Sequence, residues 1–141
     1  MKNIMLILAA FLFLFSCENV AIDAGVVEGK VMIGPLCGNI PIVVNNSNPC
    51  GFTDEQMDQV YSKYKVAIYS ESNPKTAIKE VVLNRTGAFS FEVPTGGYSV
   101  EVILPQGSTA STQIGSELKK NVSVTKSMVT TISLNVNTGI Q

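Results

Sequence analysis

Few residues of this chain have side chains that could carry out chemistry. Its 141 residues include three cysteines, Cys17, Cys37 and Cys50, and no histidine or tryptophan. Without histidine, the chain lacks the common general base of nucleophilic catalysis and the imidazole ligand of most zinc sites. The sequence therefore predicts no catalytic residue, no metal ligand set and no cofactor. A net charge of −1 also argues against nucleic acid as a partner.

The first cysteine follows an apolar segment that has the form of an export signal. Ile4–Phe15 is an almost unbroken apolar run after a basic start, and it is too short for a comfortable membrane span. Leu14-Phe15-Ser16-Cys17 resembles a bacterial lipobox, in which the cysteine is acylated and becomes the mature N-terminus. We therefore expect a signal peptide over residues 1–16, lipidation of Cys17, and a linker over residues 17–25. An ordinary secretory signal with an incidental cysteine is the alternative.

Acylation would attach the protein to a bacterial cell envelope through its N-terminal acyl chains. The outer membrane is the expected location. Glu18 and Asp23 resemble the acidic export signals of some surface-exposed Gram-negative lipoproteins, but two acids leave the periplasmic and surface faces both open.

The other two cysteines flank a loop rich in Asn and Pro. If Cys17 is acylated, Cys37 and Cys50 are the two that remain, so one pairing is available to them. In an exported protein a disulfide is the default expectation, and closing such a loop stabilises a fold by about 3 kcal/mol. Two free thiols or a metal pair are the alternatives, although such a metal site would lack further ligands.

The elements that position these cysteines are predicted to be strands. Residues 88–104 predict a hairpin around the turn Pro94-Thr95-Gly96-Gly97. Its inward side chains would be Phe89, Phe91, Val93, Tyr98, Val100, Val102 and Leu104. A capping box at Thr53–Gln56 predicts a short helix over Asp54–Tyr61. Alternating apolar residues predict further strands over Val26–Gly34, Tyr64–Ser70, Ala77–Leu83, Glu117–Thr125 and Met128–Val136.

These elements predict an all-β fold, a single seven-strand Greek-key-type β-sandwich over residues 26–137 with one short helix and a disulfide-closed loop. Residues 138–141 would form a C-terminal tail. Glu71–Thr76 is predicted to be a turn, and Met128, Thr130, Ile132, Leu134 and Val136 are predicted to face inward in the last strand.

The motifs resemble a known family. A Gly-x-Val in the first strand, the stretch Asn84–Val102 and two closing strands look like a carboxypeptidase regulatory-like domain, over roughly residues 25–137. Val31–Cys37 with the later Pro49-Cys50 resembles a subset of these domains with a paired-cysteine loop. The resemblance implies a transthyretin-like (prealbumin-like) sandwich, usually a non-catalytic module of exported proteins. Transthyretin-like hydrolases rely on histidines, which this chain lacks.

A neighbouring fold suggests one covalent reaction. Collagen-adhesin B-type domains form a Lys–Asn isopeptide bond assisted by a buried acid, and Lys30, Asn135 and Glu101 are the corresponding residue types here. A neutral, nucleophilic lysine needs burial. Alternation places all three residues in the polar phase of their strands, which argues against the bond.

Aromatic residues near the cysteine loop form the candidate contact surface. Phe52, Tyr61 and Tyr64 follow Cys50 closely, and Tyr69 falls in the outward phase of its strand. Exposed, they could bind carbohydrate or peptide; the alternative is that they seal the edge of the core.

Two functions follow from these features. The first is a membrane-anchored, non-enzymatic structural or protein-interaction accessory of the cell envelope. Its contact surfaces would be the Cys37–Cys50 loop with the helix and the polar loop over residues 105–115. The alternative is a carbohydrate- or peptide-binding lipoprotein that feeds a larger uptake or degradation system.

Overall fold

A computed structural model describes residues 23–38 and 50–140 of the chain. The predicted signal peptide, Cys17 and most of the loop between Cys37 and Cys50 lie outside these residues. Within them there are seven strands and one α-helix. Their bounds are β1 Ala24–Gly34, α1 Asp54–Tyr61, β2 Lys65–Ser70, β3 Asn73–Val82, β4 Ala88–Pro94, β5 Gly96–Ile103, β6 Lys119–Val124 and β7 Val129–Asn137. The predicted all-β class and the bounds of the helix are confirmed.

The strands form two sheets that pack face to face. The first sheet has the order β4-β1-β7, and the second has the order β3-β2-β5-β6. β1 and β7 run parallel, whereas β1 and β4 and the neighbours in the second sheet are antiparallel. The core lies between the sheets because alternate side chains of each strand point inward. Its fully buried side chains include Val27, Val31, Val66, Ile68, Val100 and Leu134.

The predicted hairpin over residues 88–104 is wrong. β4 pairs with β1 in the first sheet, whereas β5 pairs with β2 and β6 in the second, so the chain crosses between sheets at Thr95. Six of the seven predicted inward residues are nonetheless buried, including Phe91 and Val100, whereas Leu104 follows β5 and is partly buried against the core. The alternation of apolar and polar residues shows which side chains of a strand face the core. The pattern is the same whether two successive strands pair in one sheet or lie in the two facing sheets.

Backbone hydrogen bonds hold this crossing in place on both sides. The Thr95 N–H donates to the Asp23 carbonyl at 2.8 Å, and the Glu71 N–H donates to the Gly97 carbonyl at 3.1 Å. The Tyr98 hydroxyl donates to the Pro94 carbonyl at 2.8 Å. These bonds take the place of the β4–β5 backbone hydrogen bonds that a hairpin would have. They pair backbone N–H and C=O groups at the crossing.

Two other predictions are corrected in the strands. The turn predicted over Glu71–Thr76 is shorter, because β3 begins at Asn73 and pairs with β2 through register shifts around Tyr69. Met128 does not face inward: it precedes β7 in a turn and is 58% exposed, whereas Leu134 and Val136 of that strand are buried. The inward alternation of the last strand therefore begins within β7, at Thr130, and does not include the preceding turn.

The two ends of the sandwich differ in what they carry. Ala24 at the start of β1 pairs with Pro94, Ser70 pairs with Tyr98, and Gly96 pairs with Val124. These pairings gather the start of β1, the β2–β3 turn, the β4–β5 crossing and the β6–β7 turn at one end, which we call the tether end. The Cys37–Cys50 disulfide, α1, the 84–87 turn and the loop before β6 lie at the other, which we call the loop end.

Candidate interaction surface

The disulfide joins the segment after β1 to the segment before α1. Cys37 and Cys50 are bonded, with their Cα atoms 5.9 Å apart, and this confirms the predicted pairing. Phe52 and the cap of α1 follow Cys50 directly. The bond therefore ties the start of the helix to the first sheet at the loop end.

The helix begins at a reciprocal cap. The Gln56 N–H donates to Thr53 Oγ1 at 3.3 Å, and the Thr53 N–H donates to Gln56 Oε1 at 2.9 Å. This is the predicted capping box, which satisfies two of the unpaired groups at a helix start. The backbone N–H of Glu55 and the Thr53 side chain lower the pKa of the Glu55 carboxyl.

Arg85, in the turn between β3 and β4, forms hydrogen bonds and ion pairs with acidic residues of α1. Its backbone N–H donates to Asp58 Oδ1 at 2.8 Å, and its Nη1 donates to Asp58 Oδ2 at 2.9 Å. Its Nη2 lies 3.2 Å from Asp54 Oδ2. The Arg85 backbone N–H and then its guanidinium lower the pKa of the Asp58 carboxyl. The charges of Asp54, Asp58 and Arg85 therefore pair with one another, and these pairs join α1 to the 84–87 turn.

The predicted aromatic surface is not assembled. Tyr61 and Tyr64 are 7% and 8% exposed and belong to the core cluster, which corresponds to the alternative that they seal the core edge. Burial raises the pKa of the Tyr64 hydroxyl. Phe52 and Tyr69 are both half-buried, but Phe52 lies at the loop end and Tyr69 lies near the tether end of β2. Sequence alternation could not place these residues together, because Tyr61 lies in α1, Tyr69 lies in β2, and Phe52 and Tyr64 lie outside any helix or strand.

The loop before β6 is anchored at its centre. Ala110 starts a short 3-10 turn and is 1% exposed, so it closes the core at the loop end. The Asn137 side chain donates from Nδ2 to the Ile114 carbonyl, and the Asn137 N–H donates to Ser116 Oγ at 3.0 Å. Glu117 then exchanges two backbone hydrogen bonds with Asn135, at 2.8 and 3.0 Å.

Ile114 is the most exposed large apolar side chain at this end. It is 94% exposed although its own carbonyl is held by Asn137. The next residue, Gly115, is part of the lining of an open hollow of about 350 Å³. The full lining is Met32, Ile33, Gly34, Pro35, Gly115, Asn135, Val136 and Asn137. Met32 is itself 52% exposed. Sequence reasoning missed this apolar group, and the one available signal was a single isoleucine within a polar loop.

The acid considered for an isopeptide bond lies in a different sheet from Lys30 and Asn135, which are on the neighbouring strands β1 and β7. Lys30 is exposed on the outer face of the first sheet, between Ala88 and Ser133. Glu101 lies in the second sheet, and its carboxylate is 3.5 Å from Lys119 Nζ. The bond needs a buried lysine, whereas Lys30 is exposed and the acid lies in the other sheet, so the arrangement does not support the bond.

Among residues 23–38 and 50–140, no group of three or more His, Cys, Asp or Glu side chains could hold a metal ion. No helix in the same ranges is long and apolar enough to span a bilayer. A second open hollow, of about 640 Å³, lies against strands of the first sheet and includes Glu28, Lys30, Ser90 and Thr131.

Comparison with known proteins supports the fold. Neither a family model nor a curated protein matches the sequence. The structure is similar to GBS52, the minor pilin of Streptococcus agalactiae, with a TM-score of 0.51 and 13% identity over 84% of this chain and 46% of that chain. It is also similar to the TIE protein of Bacillus anthracis, with a TM-score of 0.47 and 11% identity over 82% of this chain and 17% of that chain. The chain thus spans less than half of either protein, and the likeness to GBS52 concerns the β-sandwich alone.

Proposed function

We propose that this protein is a non-enzymatic lipoprotein of the bacterial cell envelope, acylated at Cys17, that presents its loop end to a protein partner. The observation that carries the proposal is the separation of the two ends. The chain enters β1 at Ala24 at the tether end, whereas the disulfide, α1 and Ile114 lie at the loop end. An anchor before Ala24 would hold the loop end away from the membrane.

The loop end is built as a rigid surface. The Cys37–Cys50 bond, the pairing of Arg85 with Asp58 and the buried Ala110 each fix one of its segments. Recognition residues commonly lie on loops that a rigid scaffold positions, because little ordering entropy is then lost on binding. Exposed Ile114 and Met32 would supply the apolar contacts of such an interface.

An accessory role agrees with the chemistry of the chain. The chain has no histidine, and a disulfide is typical of an oxidising, extracytoplasmic compartment. The resemblance to carboxypeptidase regulatory-like domains and the similarity of the fold to a minor pilin are both compatible with a structural or interaction module. The outer membrane is the proposed location.

Acylation of Cys17 is the first test. The protein would be expressed in a bacterium with an alkyne-labelled fatty acid, and the N-terminal peptide of the membrane fraction would be analysed by mass spectrometry. We expect an acylated peptide that starts at Cys17, and we expect Cys17→Ala to abolish both the label and the membrane association. A retained or differently cleaved N-terminus without acyl chains would contradict the proposal.

The hollow beside Ile114 favours a second candidate, a lipoprotein that binds a carbohydrate or peptide. Its lining includes Gly34, Gly115, Met32, Asn135 and Asn137. Glycan and peptide arrays probed with the folded domain would distinguish this ligand-binding candidate from the accessory that contacts a protein partner. Specific binding that Asn135→Ala abolishes would favour this candidate over a protein partner.

A further inference from the structure

We propose that the tether end itself contacts the bilayer, through an apolar corner formed by Val26, Met128 and Val129; this inference rests on the acylation of Cys17 proposed above. The occupant of the corner is the lipid surface to which the N-terminus is attached. The protein would then stand in a defined orientation on the membrane rather than move freely at the end of a tether.

The corner contains the two most exposed large apolar side chains described at the tether end. Met128 is 58% exposed in the β6–β7 turn, and Val129 is 56% exposed as the first residue of β7. Val26 pairs with Val129 and is half-buried, and its N–H donates to the Met128 carbonyl at 2.9 Å. Val26 and Val129 therefore lie side by side on the outer face of the first sheet, and the exposed Met128 adjoins both at the end where the chain enters that sheet.

The chain outside the described residues leads to this corner. Asp23 directly precedes β1, and 22 residues come before it. After cleavage before Cys17, five residues, Glu18–Ile22, would separate the acylated cysteine from Asp23. A fully extended segment of that length reaches about 20 Å. The tether end would thus lie within that distance of the bilayer, while the loop end would lie beyond it.

The charges around the corner suit a headgroup region of low net charge. Lys126 Nζ lies 2.5 Å from Asp23 Oδ1, Glu71 lies in the β2–β3 turn, and Lys75 follows that turn in β3. Glu92 is the cross-strand partner of Val26, and Lys79 Nζ donates to the Glu92 carbonyl at 2.6 Å. Long lysine side chains can extend to the headgroups while apolar neighbours enter the interface. Because these three acids and three lysines balance, the contact would depend on apolar burial more than on anionic lipid, and salt would weaken it little.

The small size of the corner favours a lipid over a second protein. A stable protein interface buries about 1,200–2,000 Å², far more than three side chains provide. A contact with lipid does not need so large a buried area, because the acyl tether already holds the protein at the bilayer and raises the effective concentration of the lipid surface. A contact too weak to bind a membrane alone would still orient an anchored protein.

Single tryptophan residues can test the inference, since the natural chain has none. Met128→Trp places the probe in the corner, and Ile114→Trp is the matched control, an exposed apolar residue at the loop end. Both acylated full-length proteins would be inserted into phosphatidylcholine vesicles with or without brominated acyl chains. Val129→Trp provides a second probe in case Met128→Trp does not fold.

We expect brominated lipid to quench about half of the emission of the corner probe and to leave the control unchanged, at both low and high salt. Equal quenching of both probes, or of neither, in acylated vesicle-bound protein overturns the inference and leaves the proposed anchor intact. A blue-shifted but unquenched corner probe also overturns it, because residues 18–22 or a second copy would then cover the corner. Protein that lacks acyl chains and stays in solution overturns the anchor and this inference together.

Discussion

The backbone N–H of Val31 donates to the carbonyl oxygen of Gly87 at 2.8 Å, and this bond joins β1 to the turn that starts β4. Gly87 has a φ of 68°, and a Cβ atom there would lie 2.1 Å from the Val31 carbonyl oxygen. Only glycine fits both the positive φ and the close approach. The same turn carries Arg85, so one glycine positions both the first sheet and the attachment of α1.

Gly87→Ala should therefore destabilise the fold by about 3 kcal/mol or more, because strain at positive φ and a backbone clash add together. Gly51→Ala is the matched control, with a φ of 65° and nothing within 4 Å of the added Cβ. It should cost only about 1 kcal/mol. Urea denaturation followed by circular dichroism measures both. Equal losses would show that the contact with Val31 is not decisive.

Loss of the disulfide should weaken the protein without unfolding the sandwich. The bond joins residues 13 apart, and the chain-entropy model gives about 3 kcal/mol for such a loop. Cys37→Ser combined with Cys50→Ser should lower the free energy of unfolding by about that amount. Reductant should lower it equally in the natural protein and leave the double variant unchanged. An effect of reductant on the double variant would show that it acts elsewhere.

The pairing of Asp58 with Arg85 should make stability depend on pH. The folded pKa of Asp58 is lowered, so its contribution is present above the unfolded pKa and disappears as pH falls through the folded value. Asp58→Asn should reduce Tm at neutral pH, and the difference should shrink from about pH 4 downwards. Glu80→Gln is the control, because Glu80 pairs with Lys65 at 3.3 Å on the exposed surface. A pH-independent effect of Asp58→Asn would contradict this explanation.

Lys30 should remain a free amine. It is exposed and distant from the acid of the second sheet, so the intact mass of the folded domain should show no loss of ammonia. Lys30→Ala should change the free energy of unfolding by less than about 0.5 kcal/mol. A mass lower by one ammonia, restored by Lys30→Ala, would overturn the assignment of Lys30 to the outer face.

Local signals in the sequence were enough for several elements. The Thr53–Gln56 capping box gave the bounds of α1, and the alternation of Val27, Val31 and Ile33 gave the buried side of β1. The strand partners were not predictable in the same way. β4 and β5 each have correct inward residues, but their partners depend on contacts with Asp23 and Glu71 that are distant in the chain.

The interaction surface was predicted only in part. The cysteine pairing followed from their number, whereas the burial of Tyr61 and Tyr64 depends on how α1 packs against the sheets. Ile114 carried no periodic signal, because its exposure results from the hydrogen bonds that Asn137 makes with its loop. Tertiary contacts therefore decide which apolar residues of a polar loop remain outside.

The separation of the tether end from the loop end is most directly tested by site-specific photo-crosslinking in native membranes. A benzoylphenylalanine would replace the exposed Gln59 or Ser111 at the loop end, and Ser72 or Thr95 at the tether end. We expect a discrete cross-linked protein from the loop-end positions and none from the tether-end positions. Protein adducts from the tether end alone, or no adduct from any position, would contradict the proposal that the loop end faces a protein partner.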